Sequence, residues 1–81
     1  MKWQHTSRSK QDYDDLQPQI RKAFDKQVRL LAGDLRHQSL RAKEYDESRD
    51  LWQARVTKDW RFYFVIEGDT SIITRIIPHS K

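Results

Sequence analysis

From residue 51 onward, apolar and polar positions alternate with a period of two. Trp52, Ala54 and Val56 alternate with Gln53, Arg55 and Thr57; Phe62, Phe64 and Ile66 alternate with Arg61, Tyr63 and Val65. A third run, 70–77, is dense in Ile and Thr. β-Branched and aromatic residues dominate all three runs, as half-buried pleated strands require. Gly68-Asp69 is a two-residue hairpin signal with Gly first, and the connection at Lys58-Asp59 is also short. These runs predict a three-stranded antiparallel meander.

Upstream the period changes. Ile20, Ala23, Phe24, Gln27, Val28 and Leu31 recur at three- and four-residue spacing, with Arg21, Lys22, Asp25, Lys26 and Arg29 on the other side. That is one apolar stripe on a helix, and the stripe is core. Pro18 suits the first helical residue and Gly33 suits the stop. Ser9 offers an N-cap with Asp12 three residues on, which predicts a short helix over about 9–15. Residues 2–7 suit an edge strand. Residues 34–50 are polar and irregular, and their pattern settles no structure. The expected fold is α+β: a short N-terminal strand, two helices, then the meander, with the helices packed on one sheet face.

Alternation sorts side chains between the faces. Trp52, Ala54, Val56, Phe62, Phe64 and Ile66 should meet the helices, leaving Arg55, Arg61 and Tyr63 together on the other face. A strict two-residue turn at Lys58-Asp59 would put Arg55 opposite Phe62, on the wrong face. Hydrophobic pattern normally fixes register, so an odd loop or a bulge is expected there. The third run is ambiguous, because both of its parities contain Ile. A two-residue turn at Gly68-Asp69 would set Arg75 opposite Phe62, whereas a bulge or longer turn would set it beside Tyr63. Val65, Ile73 and Ile77 are apolar groups that the helices need not cover, and such groups mark a partner surface.

Composition adds limits. Eighty-one residues make one domain, spanning 1–81, with a thin core: 36% hydrophobic against 35% charged. No cysteine is present, so disulfide and cysteine–zinc frameworks are excluded. No apolar run nears the roughly 18 residues that span a membrane. MKWQHTSRSK lacks the apolar segment of a signal peptide, so a cytoplasmic location is expected. Net charge is +4 and pI about 9.6. Acids crowd into 44–50 and into Asp59, Glu67 and Asp69, while 51–58, 60–66 and 70–81 contain no acid and hold Arg55, Lys58, Arg61, Arg75, His79 and Lys81. Arginines beside an aromatic on one sheet face suit phosphate and base contacts, although an ordinary solvated face shows the same alternation. There is no phosphate-cradling glycine loop, no serine-nucleophile motif and no histidine pair at metal spacing. No metal and no cofactor is expected.

The stretch His37-Gln-Ser-Leu-Arg-Ala-Lys43, then Leu51-Trp-Gln-Ala-Arg-Val-Thr57, then Trp60-Arg-Phe-Tyr-Phe64, ending Ile77-Pro-His79, resembles the RelE/ParE toxin superfamily, in its RelE and YoeB branch. The resemblance implies a toxin of a type II toxin–antitoxin pair that cuts mRNA, commonly on the ribosome, and that binds a cognate antitoxin protein. It implies metal-independent attack by a ribose 2′-hydroxyl. By matched position, Arg61 would clamp the phosphate and His79 would be general acid or base. Lys43 would supply a basic catalytic group, with Arg41, Arg55, Tyr63, Arg75 and Lys81 binding RNA. Two positions depart from the pattern. Gln38-Ser39-Leu40-Arg41 lacks the carboxylate base of the YoeB type, with Glu44 nearby but not matched, and Ser80 stands where many relatives have Tyr. The ParE branch, which inhibits DNA gyrase, is the alternative, as is a non-catalytic antitoxin-binding homologue.

Overall fold

The structure is a computed structural model and describes residues 1–79. Its elements are β1 (Lys2–His5), α1 (Ser7–Asp14), α2 (Pro18–Gly33), β2 (Lys43–Asp46), β3 (Leu51–Thr57), β4 (Trp60–Glu67) and β5 (Thr70–Pro78), with single 3₁₀ turns at Gln38–Leu40 and Glu47–Arg49. One five-stranded sheet has the order β1-β5-β4-β3-β2. β1 runs parallel to β5, and every other neighbour is antiparallel.

The meander, the N-terminal edge strand and both helices follow the sequence pattern. The fifth strand does not: β2 emerges from the polar stretch 34–50. KEYD has little apolar content, but an edge strand needs only one hydrogen-bonded partner, which β3 supplies through Lys43↔Gln53 and Glu44↔Trp52. The first helix also starts earlier than expected. Its N-cap is Thr6 rather than Ser9: Ser9 N donates to Thr6 Oγ1 and Thr6 N donates to Ser9 Oγ, both at 3.1 Å. Ser9 thereby takes the inner place of the capping box that was expected of Asp12.

The helices cover one face. Phe24, Val28 and Leu31 of α2 are buried with Ala54, Val56, Phe62, Phe64, Ile73 and Ile76 of the sheet and with Leu40. Burying such side chains contributes about 1.5–3 kcal/mol each, which is the main term holding so small a domain together. Trp3 and His5 of β1 pack their rings on Phe24, at 6.1 and 5.8 Å between centroids.

Within the meander β3-β4-β5, two bulges set the register. In β3 and β4 the pairs Arg55↔Arg61 and Thr57↔Trp60 leave Val56 as an extra residue, so of the odd loop or bulge expected there the chain uses a bulge. In β4 and β5 the Gly68-Asp69 turn is a two-residue one, with Glu67↔Thr70 paired and Gly68 at φ 61°, a region costly for other residues. Farther along, Thr74 is extra, so that Tyr63↔Arg75 follows Phe64↔Ile73. The bulge switches the parity of β5 midway: Ile73 and Ile76 both face the helices, although they are three residues apart. Ile73 is therefore core, not the uncovered partner surface expected of it. Val65 and Ile77 do stay on the open face and are half-buried.

Candidate nucleic-acid interface

The face away from the helices is built from cross-strand rows, because directly paired residues share a side. One row runs Lys43–Gln53–Tyr63–Arg75, and the next runs Arg55–Arg61–Ile77. Toward the Gly68 turn a third row is apolar: Leu51–Val65–Ile72. The basic side chains thus gather toward the Lys58 end, while Asp46, Glu67 and Asp69 lie toward the other.

The middle row is held by polar contacts. Gln53, almost fully buried, donates from its amide nitrogen to the Tyr63 hydroxyl at 2.8 Å. Tyr45, on β2, sets its ring edge-on to Tyr63 at 5.3 Å. Exposed Tyr45 adds a second aromatic ring beside Tyr63, a surface of the kind on which bases can stack; sequence pattern missed it because β2 was not recognised as a strand.

Arg61 is fixed in place by the turn beside it. Its Nη1 donates to Thr57 O at 2.7 Å, Trp60 O at 2.9 Å and Lys58 O at 3.2 Å. The backbone N–H of His79 donates to the remaining carbonyl of that turn, Asp59 O, at 2.7 Å. Arg61 and His79, matched from opposite ends of the family pattern, are therefore anchored on one four-residue turn. Burial, then the neighbouring Arg55, lowers the Arg61 guanidinium from its ordinary pKa; Arg41 adds to this, and Tyr63 and Asp59 oppose it. Among the described residues, none of Arg41, Lys43, Arg55 and Arg61 has an ion-pair partner. Like charges massed without an anion are suited to receiving one.

Arg75 differs. It stands opposite Tyr63 in register, but its Nε donates to Asp12 Oδ2 at 2.8 Å, and the same oxygen accepts from Ile76 N at 3.0 Å. Its charge is matched within the fold, as a strut between α1 and the β5 bulge. Lys81 and Ser80 lie outside the described residues. Glu44, the carboxylate nearest the loop, pairs with Trp52 and so takes the helix side, away from Lys43. No cluster of three or more His, Cys, Asp or Glu fit for a metal ion occurs among the described residues, and no described helix is long and apolar enough to cross a membrane.

A two-layer α+β domain with one open, basic, arginine-rich sheet face is the class that these features define. No protein-family model matches the chain, and no curated protein matches it in sequence. Solved structures do match. A YoeB/ParE toxin from Agrobacterium tumefaciens superposes with a TM-score of 0.83 at 16% identity, covering 99% of this chain and 100% of that one. The archaeal RelE–RelB complex from Pyrococcus horikoshii gives 0.82 at 13%, over 99% and 96%. The RelBE toxin–antitoxin complex of E. coli gives 0.78 at 8%, over 99% and 98%. The chain has the RelE/YoeB-like toxin fold.

Proposed function

We propose that this chain is the toxin of a toxin–antitoxin pair and cleaves mRNA on its open face. The observation that carries the reading is the turn 57–60, whose carbonyls orient the Arg61 guanidinium and tether the His79 backbone. The fold it shares with YoeB and RelE structures supports the same reading.

In the proposed reaction a ribose 2′-oxygen attacks the adjacent phosphorus, the bond from phosphorus to the 5′ oxygen breaks, and a 2′,3′-cyclic phosphate and a 5′-hydroxyl result. Arg61, with Arg55, holds the charge that grows on the phosphorane, and fixed donors of this kind act most strongly where solvent is thin. His79 takes the 2′ proton and then gives a proton to the leaving 5′ oxygen. Lys43, a donor with no acceptor, adds positive charge beside the phosphate, and Glu44 faces the other way. Arg41 and Tyr63 bind the flanking strand, Tyr63 by stacking. The substrate is cytoplasmic mRNA on the ribosome. An antitoxin protein covers the face, as antitoxins accompany the toxins in the RelBE and RelE–RelB structures.

Induced expression should stop protein synthesis and yield mRNA fragments ending in cyclic or 3′ phosphates. Intact mRNA together with trapped gyrase–DNA cleavage complexes would replace this reading with the ParE one.

A further inference from the structure

β2 pairs with β3 only as far as Gln53, so the edge of β3 from Ala54 to Thr57 has no strand beside it. The chain fills the gap with the Gln38–Leu40 turn, and between that turn, α2 and the bare edge lies an open cleft of about 640 Å³. Ala23, Lys26, Gln27, His37, Arg41 and Arg55 line it. The volume falls within the roughly 300–1,000 Å³ of small-molecule sites. Arg55 is the shared wall: it lines the cleft and is also the cross-strand neighbour of Arg61.

Two groups give the cleft a hydrogen-bonding pattern. Gln27 is only 6% exposed. Its amide nitrogen donates to Arg55 O at 2.8 Å, on the bare strand edge, and to Ser39 O at 3.1 Å. Two carbonyl acceptors decide which end of the amide is nitrogen. Oε1 is then the free acceptor, and no described group donates to it. Among the described residues no fully buried side-chain nitrogen or oxygen lacks a partner, so Oε1 is accessible, on a side chain that lines the cleft. The second group is His37. Its Nδ1 accepts from Ser39 N at 3.2 Å, so in the neutral ring the hydrogen sits on Nε2. His37 therefore offers a donor and is unsuited to be the missing general base without losing its cap.

We propose that this cleft is a nucleobase subsite, taking the base of an RNA nucleotide next to the one whose phosphate lies at Arg61. The inference rests on the RNA reading above. A free phosphate would need neither the acceptor of Gln27 nor the apolar wall of Ala23, whereas a base edge presents donors and acceptors together and a flat apolar surface. Lys26 and Arg41, both exposed, stand at the rim for flanking phosphates.

The test is a titration of the ¹⁵N-labelled full chain followed by NMR, with inorganic phosphate and with a 2′-deoxy trinucleotide that lacks the attacking hydroxyl. The trinucleotide should shift the Gln27 side-chain amide and His37 Nε2, while phosphate alone should shift only the Arg55 and Arg61 guanidiniums. Ala23→Leu, which fills the cleft, and Lys26→Glu, at an exposed helix position, should each weaken trinucleotide binding about tenfold, the equivalent of one lost contact to a base or phosphate. Ala23→Leu, which alters no charge, should leave phosphate binding at Arg61 unchanged. If the trinucleotide shifts Arg61 and His79 but not Gln27 or His37, the subsite is refuted and the reading of the open face stands. Shifts of Gln27 by phosphate alone would make the cleft an anion site and overturn the proposal. No response at either place would overturn both.

Discussion

Replacing Arg61 separates its brace of a turn from the phosphate-clamp role proposed for it. Arg61→Ala removes three hydrogen bonds, at 2.7, 2.9 and 3.2 Å, all from Nη1. A net hydrogen bond is worth about 0.5–1.5 kcal/mol, but one nitrogen shared among three carbonyls does not give three full bonds. Arg61 is also repelled by Arg55 and Arg41, and its loss relieves that repulsion. The expected cost is about 1–2 kcal/mol, read as a fall in Tm of about 4–8 °C per kcal/mol for a domain of this size. Even a domain of only about 5 kcal/mol would remain about 99% folded after losing 2 kcal/mol. Unfolding cannot then account for the loss of activity, which should be about 10²–10³ in rate from one missing donor to the phosphorane. Arg61→Lys should recover part of the stability, since an ammonium reaches carbonyls, but not the rate, since it lacks the planar fork. The assay is cleavage of mRNA by purified variants beside thermal melts. A folded Arg61→Ala that cleaves at the wild-type rate would refute the phosphate-clamp role, and one that is unfolded at 25 °C would refute the estimate of the brace.

Four further outcomes are expected. His79→Ala should keep its fold, as the tie to Asp59 O uses only backbone, and should lose about 10²–10⁴ in cleavage rate; unchanged cleavage by a folded variant removes His79 from the chemistry. Phe64→Ala, fully buried in the core, should lose about 3–5 kcal/mol in denaturant unfolding, and a loss under 1 kcal/mol would contradict the placement of the core. Asp12→Ala should lose about 1.5–3 kcal/mol by stranding Arg75 Nε and Ile76 N, with melts of Arg75→Gln showing whether the two effects are coupled. Burial first, and Lys10 second, hold the His5 imidazole below its ordinary value, against Asp14 and Asp25; the unfolded chain therefore binds the proton first, so stability should be full above about pH 6.5 and should decline as pH falls below it, and His5→Asn should flatten that slope in pH-dependent melts.

The chain's own pattern determined most of the architecture. Period-two alternation in 51–57 and 60–66, the apolar stripe of 18–33 and the turn residues at Gly68-Asp69 are local signals, and local signals specify elements and faces. They also placed Arg55, Arg61 and Tyr63 on one side and required an odd loop or a bulge near Lys58. Other features depended on partners distant in sequence. β2 exists because β3 offers an edge, and nothing within Lys43–Asp46 announces it. The bulge at Thr74 reconciles two parities that both contain Ile, and it turns Arg75 to Asp12, 63 residues away, which withdraws that charge from the open face. Gln27 was legible only as a polar residue in an apolar stripe. Its reason is the bare edge of β3, whose Arg55 carbonyl needs a donor once β2 has ended. Hydrogen-bonding demands of this kind arise only when strands and helices meet, and so the cleft and the pairing of Arg75 with Asp12 were decided by the tertiary structure.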